Sequence, residues 1–549
     1  MGISVFCLAT PNIVQARSSH ITIIFEMSKN EKSDDLIQSG LSEDAVVPVI
    51  DQEQSGHPAY KTGLFVGSGA ALAKAGPLGI LLAFFFTGAI LWSTVQSLGE
   101  IATLFPVAGS FPHYAGRFID PAVGFALGWN YFYTFALSVA SELTAVALII
   151  SYWSSLNPAI WITVGFVPMI ALNFLPVKWY GEAEVITASI KILTFIGLLL
   201  VGLIIDLGGG PDHDRIGFRY WKDPGPMNTF PGIDGSLGRF LAFFSAFINA
   251  AFSYGGTEAV ILTAAECRNP TVQIPRAARR VLYRILFFYI CGSLIIGMTV
   301  PYNNPRLLAG TGNAASSPFV IAIEKAGIKV LPSIFNACIL TSAWSAGNTY
   351  IYMSSRTLLG LSLSGQAPRF LSKVTKAGVP YYCVAITSSF GLLSYLSAGK
   401  GGSIQAFTWL LSLCALAGLI SWGTLCVAFI RYHQAMKAQG IDRNSLAWHG
   451  PLQPYAAYFG AAFCFTIVLF SGFSVFIKGH WDTSTFFASY ISIPIFVVPI
   501  MGWKLYKKTK FVKPSEADLI SGRLAEEDFV PELEPAPTTR WGKILDKIL

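Results

Sequence analysis

Long apolar runs recur along most of this chain, and they constrain its fold more than any other feature. A helix needs about 20 residues to cross about 30 Å of hydrocarbon. Eleven runs of roughly that length alternate with short polar breaks, at about 78–99, 124–150, 158–175, 184–206, 240–263, 282–300, 331–353, 380–397, 404–430, 456–477 and 485–503. The pattern predicts an all-α integral membrane protein, with residues 61–506 as its transmembrane domain.

A shorter apolar segment, Thr62 to Ala73, precedes these runs. As a helix it would be about 18 Å long, which is about half of a bilayer, so we predict a half-helix. The flanking segments 1–60 and 507–549 are polar and charged. We interpret the first as a disordered cytosolic tail and the second as a cytosolic C-terminal tail.

The composition agrees with a lipid environment and argues against several other classes of protein. The chain is 53% hydrophobic and 13% charged, which is too apolar for an ordinary soluble protein. Its net charge of +7 is spread over short loops rather than along one stripe, so no nucleic acid partner is expected. The sequence has neither a phosphate-binding loop nor metal-ligand spacing, and no cofactor or enzymatic activity is expected. A channel filter motif is also absent.

Basic residues concentrate in alternate loops, and this predicts the orientation in the bilayer. One set of loops and the C-terminal tail are rich in arginine and lysine, whereas the loops 206–239 and 301–329 have mixed or acidic charge. The positive-inside rule places both termini in the cytosol. The basic residues are Arg268, Arg276, Arg279, Arg280, Arg284, Arg369, Lys373, Lys376, Arg431, Lys437, Arg443, Lys504, Lys507, Lys508, Lys510 and Lys513.

Two apolar segments are interrupted by glycine. Gly63, Gly67 and Gly69 lie in the half-helix, and Ser253-Tyr254-Gly255-Gly256-Thr257 interrupts the run 240–263. Broken helices at matching places in two halves are typical of substrate sites in transporters, because unwound backbone offers N–H and C=O groups to a zwitterion. The second break lies five helices after the first, as an inverted five-plus-five repeat requires. The alternative is that these glycines only permit close helix packing.

Three ionisable side chains lie deep in apolar runs: Glu142, Lys191 and Glu258. A charge near the bilayer centre costs on the order of 3 kcal/mol, so such residues are functional candidates. Lys191 would occupy the place of a coupling cation and favour coupling to protons. The alternatives are a fixed ion pair of Lys191 with Glu142 or Glu258, and stabilisation of the second break by Glu258.

Phe252 stands directly before the second break. An aromatic side chain there could close over a substrate as a gate. Plain helix packing explains an aromatic residue at this position equally simply.

Several long motifs, in order from about Thr62 to Gly522, resemble the fungal amino acid permeases of the amino acid, polyamine and organocation superfamily. The motifs are TGLFVGSG, FPVAGSFPHYAGRFIDPAVGFALGWNYFY, GGGPDHDRIGFRYWKDPG, FSYGGTEAVILTAAECRNPTVQIPRA, YIYMSSRTLLGLSLSGQAPRF and FVKPSEADLISG. The resemblance implies a twelve-helix plasma membrane protein, in which helices one to five and six to ten are inverted repeats and two helices follow. It also implies proton symport of amino acids by alternating access.

The resemblance further implies the roles of individual residues. Amides of the broken first helix would hold the substrate carboxylate, and carbonyls of the broken sixth helix would hold its amino group. The implied substrate site consists of Thr62, Gly63, Ala251, Phe252, Ser253, Gly255 and Glu258. Lys191 matches the lysine proposed to couple protons in such transporters, and Glu142 is assigned to the same role.

The segment FFYICGSLIIGMTVPYNNPRL is most similar to proline and general amino acid permeases, so neutral amino acids, including proline, are the expected substrates. Trafficking or ubiquitination machinery is a further expected partner, acting on tail lysines such as Lys29 and Lys32. Two alternatives stay open: a sensor that does not transport, and a transporter of another zwitterionic or cationic solute such as choline or a polyamine.

The chain departs from the family pattern at the start of helix one. Lys61 stands in place of the first glycine of the family's GTG turn, and HPAYK precedes Thr62 where an apolar stretch is usual. We therefore expect the inner half of helix one to be missing, as after a skipped exon. A chain with this gap would lack part of the inner gate and of the carboxylate site.

Overall fold

Helices make up most of the described chain, as the apolar runs predict. The computed structural model describes Gly63, Phe65 and residues 67–106, 111–259, 261, 270–308, 317–399, 403–446 and 448–523. Within these residues there are seventeen α-helices and no strand. The helices are α1 (Gly67–Leu104), α2 (Phe111–Phe118), α3 (Pro121–Ile150), α4 (Pro158–Phe174), α5 (Val177–Asp206), α6 (Arg219–Lys222), α7 (Gly235–Ser245), α8 (Phe247–Tyr254), α9 (Pro270–Thr299), α10 (Pro305–Leu308), α11 (Pro318–Lys325), α12 (Leu331–Leu363), α13 (Tyr381–Gly391), α14 (Ser403–Ala438), α15 (Tyr455–Phe470), α16 (Thr483–Tyr490) and α17 (Ser492–Lys507).

The helices have the length and surface of membrane spans. By length and composition, six described segments can cross a bilayer, and the pair α16 and α17, bent by 47°, counts as a seventh. Two apolar helices, α4 and α15, are shorter. Each of the eleven predicted runs falls on one or two described helices, although not all are long or apolar enough to count alone as a complete span. Apolar side chains such as Leu193 are 70% exposed on α5, as expected for a surface that faces lipid.

The half-helix predicted at the start is separated from the next span by a sharp bend at Gly76. Gly76 has φ +76° and ψ 174°, and Pro77 follows it inside α1. Only glycine adopts this backbone easily. The loop before α7 packs into the bend, where Leu78 N–H donates to the Pro226 carbonyl at 2.8 Å. The described part of the half-helix therefore runs from Gly67 to the bend.

One hydrogen bond marks each end of the helix bundle. At the end that carries residues 508–523, which we call the C-terminal face, Lys504 Nζ donates to Asp120 Oδ2 at 2.5 Å. At the other end, the opposite face, Tyr152 Oη donates to Glu324 Oε1 at 3.3 Å. Because α3 connects Asp120 to the segment containing Tyr152, it crosses between the two faces.

The first part of the predicted C-terminal tail is folded against the C-terminal face. We call residues 508–523 the C-terminal strap. Arg117 donates to the carbonyls of Asp518 at 2.6 Å and Ser521 at 2.7 Å. Gln439 Nε2 donates to the Ala517 carbonyl at 2.7 Å, and Leu519 is buried. The strap thus connects the α2 segment to the end of α14.

Charge also supports the strap. Burial alone would raise the pKa of Asp518, but hydrogen bonds from the N–H groups of Ser521 and Ile520, together with the Arg117 charge, hold that pKa at about 2. A lowered carboxylate pKa contributes stability that is present above the ordinary value near 4 and is lost as pH falls through about 2. We therefore expect the strap to keep its attachment between about pH 5 and pH 8.

Replacing Arg117 with alanine should release the strap, because three contacts disappear while the carbonyl groups stay in place. The Asp518 carboxylate is about half exposed, so most of the loss should come from the two carbonyl hydrogen bonds rather than from the ion pair. We expect proteinase K to remove a C-terminal tag about tenfold faster from this variant, which corresponds to about 1.4 kcal/mol of local opening. Lys513→Ala removes an exposed ion pair with Glu516 and should leave the rate unchanged; equal rates in parent and Arg117→Ala would contradict the attachment.

Candidate functional site

The second predicted break lies where the sequence places it. Helix α8 ends at Tyr254, and the chain turns through Gly255 to Glu258, with Gly256 at φ +84°. Glycine is needed because a side chain is strained at this φ. The hydroxyl of Tyr289, on α9, donates to the Ser253 carbonyl at 2.9 Å. The break is therefore an ordered part of the structure, and its backbone groups depart from the regular helical hydrogen-bond pattern.

The first broken segment touches the second at Gly63. A Cβ atom placed on Gly63 would lie 2.7 Å from Ser253 Oγ and 2.8 Å from Phe252 Cδ1, which is closer than real Cβ contacts. Glycine is thus required for this approach of the two backbones. Thr62 and the residues before it, including Lys61 and the predicted gap in helix one, lie outside the described residues.

Phe252 is buried at the junction of three elements. Besides Gly63, it packs edge to face on Phe407 of α14, with ring centroids 6.4 Å apart. Ala251 is buried beside it on α8, and Ser253 Oγ donates to the Asn249 carbonyl at 2.8 Å. The position is compatible with both a gate and plain packing.

The two predicted acids are buried near tyrosine side chains of α3 and α12. Glu258 Oε1 accepts a long hydrogen bond from Tyr131 of α3 at 3.5 Å. Glu142 is buried on α3, where a Cβ atom on Gly347 of α12 would lie 3.5 Å from Glu142 Cβ. Tyr350, also on α12, is within electrostatic range of both carboxylates. The structure thus brings Glu142 and Glu258 to one buried region around Tyr350.

Lys191 is almost fully buried on α5. Its carboxylate partner is Glu184, which the sequence analysis did not predict. Lys191 Nζ lies 3.3 Å from Glu184 Oε1 and donates to Ser345 Oγ of α12 at 2.7 Å. The sequence alternatives for a fixed pair were Glu142 and Glu258. Ser345 and Gly347 are about 200° apart around α12, so Lys191 and Glu142 contact different sides of that helix.

Glu184 is the centre of this polar cluster. Its Oε2 atom accepts hydrogen bonds from Ser345 Oγ at 2.7 Å and Thr349 Oγ1 at 3.2 Å. Thr187 Oγ1 donates to Ser345 Oγ at 2.9 Å. The spacing of seven residues between Glu184 and Lys191 places both on one face of a helix, and this is the signal that identifies the pair in the sequence.

Aromatic contacts connect α5 to both breaks. Phe195, one turn after Lys191, packs on Phe65 of the first segment with ring centroids 5.7 Å apart. It also packs on Tyr289 at 6.4 Å, and Tyr289 binds the Ser253 carbonyl. Phe195 thus contacts Phe65 of the first segment and Tyr289, which binds the second break.

The structure therefore places an unwound backbone segment, at the second break, and a buried ion pair, Lys191 with Glu184, among the apolar helices. Within the described ranges, no group of three or more His, Cys, Asp or Glu is placed to hold a metal ion.

Comparison with known proteins places the chain in a family. Residues 58–515 match the family described as Amino acid permease. The chain is 41% identical over 465 residues to the Dicarboxylic amino acid permease of Saccharomyces cerevisiae, covering 83% of this chain and 76% of that protein. It is 42% identical over 480 residues to the Proline-specific permease of Emericella nidulans (85% and 87% covered), and 41% identical over 490 residues to the Basic amino-acid permease of Saccharomyces cerevisiae (88% and 85% covered).

The family match confirms the predicted kinship and the multi-span membrane architecture. The named relatives are permeases rather than enzymes, in agreement with the sequence prediction. The chain belongs to the amino acid permease family, whose members carry amino acids across membranes.

Proposed function

We propose that this permease imports amino acids by proton symport, with the substrate held between the two breaks and exposed to each side in turn. The observation that supports the proposal is the close approach of Gly63 to Ser253 and Phe252, because it brings the two interrupted segments into direct contact. In this arrangement Thr62 and Gly63 receive the substrate carboxylate, and the carbonyls of Ala251, Phe252 and Gly255 receive its amino group. Ser253 and Glu258 complete the site.

The proton is carried by Lys191 in this proposal, with Glu142 near the substrate as a second titratable group. Burial of Lys191 supports the assignment, since a buried ammonium is stable only while it is paired. Phe252 closes over the bound substrate. Helices one to five and six to ten form the inverted repeats, and the two breaks at corresponding places support this arrangement.

The C-terminal face is cytosolic and the membrane is the plasma membrane in this proposal. Lysines at the end of α17 and arginines beside the strap give that face the positive charge expected of a cytosolic surface. Trafficking or ubiquitination machinery would reach the tails from the same side.

Neutral amino acids, proline among them, are the proposed substrates. Two relatives named as proline-specific permeases, at 42% and 39% identity, support this choice, although relatives named for dicarboxylic and basic amino acids are about equally similar.

Uptake in a permease-deficient yeast strain tests the proposal. We expect labelled proline or alanine to accumulate in cells that express the chain, and a protonophore to abolish the accumulation. Uptake that is restricted to glutamate or lysine would overturn the substrate class. Protein at the cell surface with no uptake of any amino acid would favour a sensor or a carrier of another solute.

A further inference from the structure

A buried chain of hydrogen bonds begins at Lys191 and continues beyond it. The Lys191 ammonium donates to Ser345 Oγ at 2.7 Å, and the Ser345 hydroxyl donates to Glu184 Oε2 at 2.7 Å. The direct distance from Lys191 Nζ to Glu184 Oε1 is 3.3 Å. Ser345 therefore bridges the two charged groups with bonds that are shorter than the direct contact.

This chain leads toward one face of the protein. Glu184 precedes Lys191 by seven residues on α5, so its Cα atom lies about 10 Å nearer the start of that helix, although the two charged groups are 3.3 Å apart. Helix α3 runs from the C-terminal face to the opposite face, α4 returns, and α5 therefore starts at the C-terminal face. One turn before Glu184, half-buried Tyr180 stacks on Tyr352 with ring centroids 4.4 Å apart.

We propose that Glu184 takes the transported proton from Lys191 and releases it toward the C-terminal face. This inference rests on the proposed proton symport. The Lys191 ammonium passes a proton to Ser345 Oγ while the Ser345 hydroxyl proton moves to Glu184 Oε2, which leaves a neutral amine and a neutral carboxylic acid. Glu184 then gives its proton to water on the C-terminal side and returns to the carboxylate. Lys191 regains a proton from the opposite side in the next cycle.

The surroundings of Glu184 suit this exchange. Hydroxyl groups of Ser345 and Thr349 both donate to Oε2, so the carboxylate stays solvated by the protein after the proton has left. The Glu184 side chain is 8% exposed and that of Lys191 is 1% exposed. Water therefore reaches the Glu184 carboxylate more easily than it reaches the Lys191 ammonium.

Loss of a proton-release group should slow net transport but not substrate exchange. The test therefore compares the rates of these two processes. Exchange of labelled for unlabelled substrate needs only the loaded carrier to cross, whereas net transport also needs the proton to leave. Purified protein in vesicles would be assayed with the amino acid that the parent transports fastest. One assay drives net uptake with an imposed pH gradient, and the other measures exchange in preloaded vesicles without a gradient.

For Glu184→Gln we expect net uptake to fall at least about tenfold while exchange stays within about twofold of the parent. Ser345→Ala should give the same pattern more weakly, and Glu184→Asp should recover part of the net uptake. Glu182→Gln, an exposed carboxylate on the same helix, is the matched control and should behave as the parent does.

Two results would overturn the inference. In the first, net uptake and exchange fall together in both Glu184→Gln and Ser345→Ala although the folded protein is recovered in normal amount, which is the signature of a purely structural pair. In the second, net uptake is unchanged. A parent protein that does not respond to the pH gradient would instead refute proton symport itself, so the two failures are distinguishable.

Discussion

Replacing Lys191 with arginine is expected to reduce concentrative uptake by at least about tenfold while the protein still folds and reaches the membrane. A guanidinium can keep the ion pair with Glu184, but it does not lose its proton in proteins. A carrier whose cycle requires deprotonation of residue 191 would therefore stop. Labelled uptake in yeast, normalised to surface protein, measures the effect.

Lys191→Met removes both the positive charge and the transferable proton of residue 191, so its comparison with Lys191→Arg separates the two roles. It leaves the buried Glu184 carboxylate without its cation, and breaking a buried pair in this way costs about 3–5 kcal/mol. We expect less folded protein for this variant than for Lys191→Arg. Parental accumulation by Lys191→Arg would contradict proton transfer at this residue.

Replacing Gly63 with valine is expected to abolish uptake. The first side-chain atom alone would approach Ser253 Oγ to 2.7 Å and Phe252 Cδ1 to 2.8 Å, and the branched methyl groups add further overlap. Overpacking of this kind costs about 1–3 kcal/mol, so the two broken segments should separate or the substrate space between them should fill. Gly63→Ala should give an intermediate loss, because the Ser253 hydroxyl and the Phe252 ring can shift.

Gly418→Ala is the matched control for this series. Gly418 lies inside α14, and a Cβ atom there would meet nothing within 4 Å. Alanine is favoured over glycine within a helix by about 0.5–1 kcal/mol, so this variant should transport as the parent does and be slightly more stable. Normal uptake by Gly63→Val would show that the contact between the breaks is not part of the substrate site.

The sequence predicted the helices and the second break well because both depend on local chemistry. Apolar runs of spanning length have few alternatives to a helix in lipid, and the pair Gly255-Gly256 marks a turn wherever it lies. The bend at Gly76 has a local cause as well, in the Gly-Pro sequence that separates the half-helix from the next span.

The partner of Lys191 was missed for a different reason. Glu184 stands at the edge of its apolar run, whereas Glu142 and Glu258 stand inside theirs, so a search for buried charges favours the wrong carboxylates. Which acid meets the lysine depends on how α5 packs on α12, through Ser345 and Thr349. The strap was missed because its attachment depends on carbonyl groups, which have no sequence signature, as in the contacts of Arg117.

Accumulation driven by a pH gradient alone is the sharpest test of proton symport by this permease. Purified protein would be reconstituted into vesicles that are alkaline inside, with labelled proline outside and no other ion gradient. We predict that proline rises inside above its external concentration, and that a protonophore returns it to the external level. Proline that only equilibrates across the membrane, with or without the gradient, would contradict proton symport through Lys191.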